Sequence, residues 1–576
     1  MPLPPGNADA IASLLRAGGG VRFADQPAQA RLAGLLEGPP LPWRLVKQTV
    51  SRSVYCAANG QGSLYLKCFH NPSLLHRLQR RLGWCDSLRE LERSRYLRSR
   101  GLPVPAVLAA CSQWNISQGV ADASPADQWH LEQLRRENHA AIAQAAAALA
   151  QIIARMHQAG VLHHDLHCGN LLVGRDDPRR LCLMDLHRTS RRVRLNRHSR
   201  AANLAQLAYD RWWWTSRTQR LRFLRDYLRS SGAGGSLRGW VRLIEPQLQA
   251  HRRRMNAHRR RRILRTNTHF VRLAAGGYTA HVVRTVRPNL PGSRLAGATF
   301  EPDHWRAALA DVEGLFHGSD VRVVKDSPSS LVVQRRLQVG PHALEVFIKR
   351  ARRKKPIRLV WDLFRHSRPV RAFRLGHLLL SRQINTALPL AAMERRRGRF
   401  LIDSLLITEA VDEALELNRF LNRHLGGEEA QGPAHQGSLA RKVLWRLGRL
   451  VRQLHQEGFY HRDLKATNLL VRWNGQPTHW PEIVLIDLDG LHTARRVSRR
   501  QQLQGIMRLN VSLLECPIVN HAGRLRLLLG YLRAARPALK NFKPYWRMLQ
   551  EWSAKKIRRQ IRSRQRSQKQ ARRNLP

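Results

Sequence analysis

The stretch HRDLKATN, His461 to Asn468, decides how this chain is read. It follows the segment RKVLWRLGRLVRQLHQEG (441–458) and precedes the apolar run LLV. Val443, Leu444, Leu447, Leu450, Val451 and Leu454 recur at helical spacing, so the loop leaves a helix with one face toward a core. Asp487 closes the next apolar run, in VLIDLDG, 24 residues after Asp463. The same order occurs earlier. HHDLHCGN, His163 to Asn170, follows an Ala-rich helical segment (140–158), and Asp185 of CLMDLHR stands 20 residues after Asp165.

That pattern supplies what phosphoryl transfer requires. Asp165 and Asp463 are placed to accept a hydrogen bond from an acceptor hydroxyl and take its proton late in transfer. Asn170 and Asn468, five residues on, can ligate a metal while holding the loop closed. Asp185 and Asp487 can hold the metal on the phosphates. Lys465, two residues past Asp463, is within reach of the transferred phosphate; His167 takes that place in the first copy. A lone HxDxxxxN string is weak evidence. A strand lysine, a helix, the loop and a strand-end Asp in order, found twice, are strong evidence.

The upstream parts are present in both halves. WRLVKQTV, VYCAA and SLYLKCF read as strands from Trp43, with a hairpin signal at Asn59-Gly60-Gln61-Gly62 and Lys67 in the third strand. The helix DSLRELERSRYLRSRG follows and carries Glu90, the candidate partner of Lys67. Taken alone, Lys67 reads as an edge lysine snorkelling to water and Glu90 as a solvated acid beside arginines. The downstream loop favours the functional reading. In the second half VRVVKDS, SLVVQRRLQV and LEVFIKR repeat the strands, with Lys349 in the third, and a helix is expected near 369–383. The two loop aspartates are 298 residues apart and the two lysines 282, so one fold stands twice in tandem.

A chain of 576 residues is too long for one core. The expected divisions are a leader (1–40), a first domain (41–265), a basic connector (266–300) placed by Gly276-Gly277 and PNLPGS, a second domain (301–545) and a basic tail (546–576). The formal charge of +60 points to an anionic partner. Arginine clusters at 191–200, 251–265 and 555–573 would form its contact surface. No basic module interleaved with aromatics is evident, which argues against nucleic acid; Trp212-Trp213-Trp214 reads more simply as core. Seven dispersed cysteines without a CxxC pair fit a reducing compartment. No signal peptide is read, and the longest apolar stretch, 140–154, is shorter than a membrane span. His163, His164, His167 and Cys168 do not match a zinc pattern, and Cys168 has no evident base that would make it a nucleophile.

At these residues the chain resembles the bacterial lipopolysaccharide kinases, the heptose and Kdo kinases of the inner core. In the first half the resemblance rests on YLKCF, RELERSRYLRSRGLPVPAVLAA, VLHHDLHCGNLLV and LCLMDLHR. In the second it rests on VFIKR, RAFRLGHLLLSRQINTALPLAAME, ITEAV, FYHRDLKATNLLV and VLIDLDG. It covers roughly residues 43–230 and 320–530. The resemblance implies an α+β fold of two tandem protein-kinase-like bilobal domains, each with a β-rich small lobe and a helical large lobe. It implies ATP and Mg²⁺, with Lys67 and Lys349 on phosphate, Glu90 pairing Lys67, Asp165 and Asp463 catalytic, and Asn170, Asp185, Asn468 and Asp487 on metal. It also implies a lipopolysaccharide core or lipid-linked sugar substrate, an anionic membrane surface, and a cytoplasmic, peripheral place on the inner face of the inner membrane.

The chain departs from the kinase pattern in three places. Neither first hairpin carries GxGxxG; Ser51-Arg52-Ser53 and Ser327-Pro328-Ser329-Ser330 stand there. Neither metal Asp precedes Phe-Gly; Leu186-His187 and Leu488-Asp489 follow instead. Ala372 matches Glu90, which leaves the partner of Lys349 open. Two other readings stand beside the sugar kinase: a Ser/Thr protein kinase, and a catalytically silent kinase-like scaffold binding anionic partners.

Overall fold

The computed structural model describes residues 20–37, 41–48, 52–59, 62–70, 85–211, 215–287, 290, 293–352, 363, 365–426, 433–474, 480–516, 518–532 and 542–573. The tryptophans 212–214 and the hairpin tip at 60–61 lie outside them. The chain divides into two compact units, Met1–Asn256 and Ala257–Pro576.

In the first unit the strands are β1 (Arg22–Phe23), β2 (Arg44–Gln48), β3 (Arg52–Asn59), β4 (Gly62–Phe69), β5 (Val107–Ala110) and β6 (Trp114–Gln118). They form an antiparallel sheet in the order β1-β5-β6-β4-β3-β2. Alternation along β4 points Leu64, Leu66 and Cys68 into a core with Tyr55, Trp114 and Ile116. Lys67 falls on the opposite face, the one covered by the helix Asp86–Ser99. That helix ends at Arg100, and Gly101 follows with φ +68. The chain then reaches Pro103, whose carbonyl accepts from Leu183 N–H at 2.9 Å and fastens the small lobe to the large one.

The large lobe is helical and carries short strands: β7 (Ala123–Pro125), β8 (Val161–His163), β9 (Leu171–Gly174), β10 (Leu181–Leu183) and β11 (Thr189–Arg191). Its central helix, His139–Gln158, is capped by Asn138, whose side chain accepts from Ala141 N–H. Ile152, Ile153 and Met156 on that helix are buried.

The second unit repeats this plan. β12 (Phe270–Ala275), β13 (Tyr278–Val283), β14 (Arg322–Ser327), β15 (Ser330–Val339), β16 (His342–Ala351), β17 (Pro389–Arg397) and β18 (Phe400–Glu409) form one sheet in the order β12-β13-β17-β18-β16-β15-β14. The helix Arg368–Leu380 packs on it, near the 369–383 expected from sequence but one residue earlier at its start and three shorter at its end, with Val370, Phe373 and Leu379 fully buried. The large lobe adds β19 (Ala414–Glu416), β20 (Phe459–His461), β21 (Leu469–Arg472), β22 (Glu482–Leu485) and β23 (Leu491–Thr493) around the helices Pro433–Gln456, Arg499–Leu513 and His521–Leu532. Leu485 N–H donates to Asn385 O at 2.9 Å, the counterpart of the Leu183–Pro103 link.

Three regions expected to lie outside the domains are part of them. The leader contributes β1 and the helix Gln26–Glu37, whose Ala28 and Leu32 join the first core. In the expected connector, Gly276 (φ +54) and Gly277 (φ +78) form the two-residue turn of the β12–β13 hairpin, where Ala275 pairs with Tyr278. The basic tail is the helix Lys543–Arg573; Leu549 and Ser553 are buried, and Asn510 Nδ2 donates to Ser553 Oγ at 2.9 Å.

Candidate active site

In the first unit Lys67 is only 7% exposed, and an ammonium that deep must be paired. Its Nζ donates to Glu90 Oε1 at 2.7 Å and to Asp185 Oδ1 at 3.0 Å. Asn115 Nδ2 holds the other Glu90 oxygen at 3.0 Å. Burial alone would lower the Lys67 pKa, but the Glu90 and Asp185 carboxylates reverse that and raise it. Burial likewise opposes ionisation of Asp185, yet Lys67 and then Arg52 hold its carboxyl well below the usual carboxylate range.

Two groups here were not singled out from the sequence. Arg52, on β3 where a glycine-rich loop would begin, reaches both Asp185 oxygens, each at 3.3 Å. His187 Nδ1 lies 3.8 Å from Glu90 Oε2, and Glu90, Asp185 and His187 bring ligand atoms within 4.8 Å of one another.

Asp185 itself is left-handed, φ 55, ψ 51, at the head of a 3₁₀ turn, Leu186–Arg188. Asp487 adopts the same conformation, φ 55, ψ 71, before the turn Leu488–Gly490. Both are non-glycine residues in the left-handed region, a strained backbone kept at the matching position of each unit.

The Asp–Asn loops also match. Asn170 Nδ2 donates to Asp165 O at 2.8 Å, and Asn468 Nδ2 to Asp463 O at 2.8 Å. Each amide is thereby oriented with its oxygen, the atom a hard cation prefers, turned the other way. His163 and His461, two residues before each Asp, stitch the loop to the strand that ends in the second Asp. Each accepts at Nδ1 from the loop Asp N–H, at 3.1 Å in both copies. With Nδ1 accepting, Nε2 carries the proton and donates to Met184 O at 2.9 Å or to Asp487 O at 3.0 Å. Burial lowers both histidine pKa values and favours this neutral form. His164 Nε2 pairs with the Ser190 hydroxyl at 2.7 Å, and His167 accepts at Nδ1 from Gly169 N–H at 3.1 Å while its Nε2 lies 3.7 Å from Asp165 Oδ1. Cys168 N–H donates to Asp210 at 3.1 Å, and in the second unit Ala466 N–H donates to the Ser512 hydroxyl at 3.0 Å.

The second unit differs at the lysine. Lys349 Nζ lies 2.7 Å from Asp487 Oδ1 and 2.7 Å from Asp489 Oδ2. Burial again acts to lower its pKa, and Asp489 and Asp487 raise it. Ala372, at the place of Glu90, is buried against the core. The lysine therefore keeps two carboxylates, but the second comes from the strand-end turn and not from the helix. In the first unit the position matching Asp489 is His187. Carboxylate and non-carboxylate have exchanged places between the copies. Lys465 Nζ lies 3.2 Å from Asp463 Oδ2. Arg508 and Lys556, the latter on the C-terminal helix, feel the same carboxylate: burial lowers both pKa values, with Arg462 lowering that of Arg508 further and Arg508 that of Lys556, while Asp463 acts to raise them.

Two lobes, a lysine tied to a strand-end Asp across them, and an Asp–Asn loop beneath define a protein-kinase-like phosphotransferase, present twice. The model of the Lipopolysaccharide kinase (Kdo/WaaP) family matches residues 46–227 and again 352–531. The chain belongs to that family, and its activity is that of a kinase of lipopolysaccharide biosynthesis. Among solved structures it is similar to one described as "WaaP in complex with acyl carrier protein", at 19% identity, covering 44% of this chain and 97% of that one, with a TM-score of 0.33. A comparison with curated proteins found no match.

Proposed function

We propose that the chain transfers the terminal phosphate of ATP to a sugar hydroxyl, of heptose or Kdo, in the lipopolysaccharide inner core. The observation that carries this is the lysine–carboxylate–aspartate set, formed in both units beside a loop whose Asp and Asn are held alike. Asp165 and Asp463 would orient the acceptor hydroxyl and receive its proton. Lys67 and Lys349 would neutralise nucleotide phosphate, and Lys465 the transferred group. The oxygen donors Asn170 with Asp185, and Asn468 with Asp487, would hold Mg²⁺, a hard cation that would offset phosphate charge. In the first unit Arg52 would have to release Asp185 as the cation arrives. The reaction would take place at the cytoplasmic face of the inner membrane, with the basic helices against anionic headgroups.

The test is transfer of label from radioactive ATP to lipopolysaccharide core acceptors and to protein acceptors, for wild type, Asp165→Ala, Asp463→Ala and the double variant. Label is expected on the glycolipid fraction, each single variant losing its own unit's share and the double losing all of it. Full activity in the double variant would refute the assignment; label on protein would instead favour a Ser/Thr protein kinase.

A further inference from the structure

In the second unit, replacement of a helix glutamate by Ala372 coincides with a cavity of 860 Å³ between the helix Arg368–Leu380, the β17–β18 hairpin and the turn Leu488–Gly490. Its lining carries seven arginines against two carboxylates, Glu394 and Asp489. Arg368, Arg371 and Arg374 are spaced by three along one helix, so they form a single stripe. They begin at the helix N-terminus, whose dipole already carries positive charge, and no acid stands in the first turn. Arg260, Arg365 and Arg399 face the same space. Burial lowers the Arg374 pKa, and the charges of Arg260 and Arg371 lower it further.

One arginine of the wall has a structural task. Arg396 pairs with Glu394 at 3.1 Å and donates to Arg365 O at 2.8 Å and Arg399 O at 2.9 Å, fixing the rim. Glu394 also accepts from Ser367 N–H at 3.0 Å, ahead of the helix. The rim is thus built, and guanidinium groups outnumber carboxylates in the wall, seven to two. Guanidinium forks suit phosphate oxygens, and the volume exceeds what one phosphate needs.

We propose that this cavity is a binding site for a ligand carrying at least two phosphate groups, separate from the nucleotide cleft. Asp489 belongs to both: it lines the cavity and its carboxylate holds Lys349. The site goes beyond the kinase reading and does not depend on phosphate transfer by either unit.

The test is calorimetry on the full chain at fixed ionic strength, with ADP at saturation to fill the nucleotide clefts. The probes are inorganic pyrophosphate, for a free phosphate source, and delipidated bisphosphorylated core oligosaccharide, for a glycolipid source. Arg368→Gln/Arg374→Gln is compared with Arg558→Gln/Arg562→Gln, an equal charge loss on the exposed face of the C-terminal helix. The expected result is saturable binding of one probe that weakens at least about tenfold in the cavity variant and stays within about twofold in the other. Whichever probe binds tighter names the source. If circular dichroism shows the first variant misfolded, Arg365→Gln/Arg399→Gln, at exposed positions, takes its place. Undiminished binding in the cavity variants, equal loss in the control, or no binding once ADP is present would overturn the proposal.

Discussion

At the scale of residues, Asp489 shows how a kinase site can keep its charge balance while moving a carboxylate. Glu90 and Asp489 do the same electrostatic work for their lysines from different elements. We expect Glu90→Ala and Asp489→Ala each to slow transfer by their own unit about 10²-fold, measured with the other unit silenced at its loop Asp. A negligible loss in Asp489→Ala would leave Lys349 without need of a second acid. The Asp185 shift gives a pH test. Its folded pKa is below the unfolded one, so its contribution to stability is complete above the unfolded value, about 4, and is lost as pH falls through the folded value. Lys67→Met should flatten the acid end of the melting-temperature profile and leave the neutral region parallel to wild type. Retention of the full acid slope in Lys67→Met would break the link. The loop Asp, Asn and strand-end Asp were legible because that chemistry fixes residue type and spacing within one short stretch. Arg52 and Asp489 were not, because their roles arise across strands and lobes, where spacing along the chain carries no distance. His163 and His461 left a readable trace: a histidine two residues ahead of Asp in both motifs.

At the scale of elements, glycine has two uses here, and only one was readable. Gly276-Gly277 reads by composition as a linker signal, but the alternating FVRLAA and YTAHVV on either side make it a hairpin. A Gly-Gly pair marks a turn whether or not a domain ends there, and the flanking alternation decides between the two. The other use is close approach. Gly448 and Gly530 let the helices Pro433–Gln456 and His521–Leu532 cross; a Cβ at Gly448 would meet Leu527 O at 2.1 Å, and one at Gly530 would meet Trp445 O at 2.6 Å. Those neighbours are backbone and cannot swing aside. Gly448→Leu should therefore destabilise the second unit by about 3 kcal/mol, read as a lower denaturant midpoint. An unchanged midpoint would mean that the helices do not touch there.

At the scale of the whole molecule, the excess of positive charge is carried largely on helices. Among the described residues no helix is long and apolar enough to cross a membrane. The C-terminal helix begins docked on its own unit through Leu549 and Ser553, then continues through a stretch, 555–573, of ten basic and no acidic residues. Truncation after Ser563 leaves the docked turns and removes five basic residues. At about 1 kcal/mol per basic residue near an anionic surface, sedimentation with anionic vesicles should weaken by well over tenfold, and salt should weaken the intact chain similarly. Equal sedimentation of both forms at low salt would remove that surface role.

The exchanged acid also decides what can silence each half. In the first, tilting Asp86–Ser99 outward withdraws Glu90 from Lys67, so that helix is a lever on the ammonium. In the second, both anions gripping Lys349 ride on one turn, and the helix Arg368–Leu380 supplies neither of them. One lysine takes an anion from its helix and the other takes none, so a helix movement of the same kind would uncouple an ion pair in the first unit only.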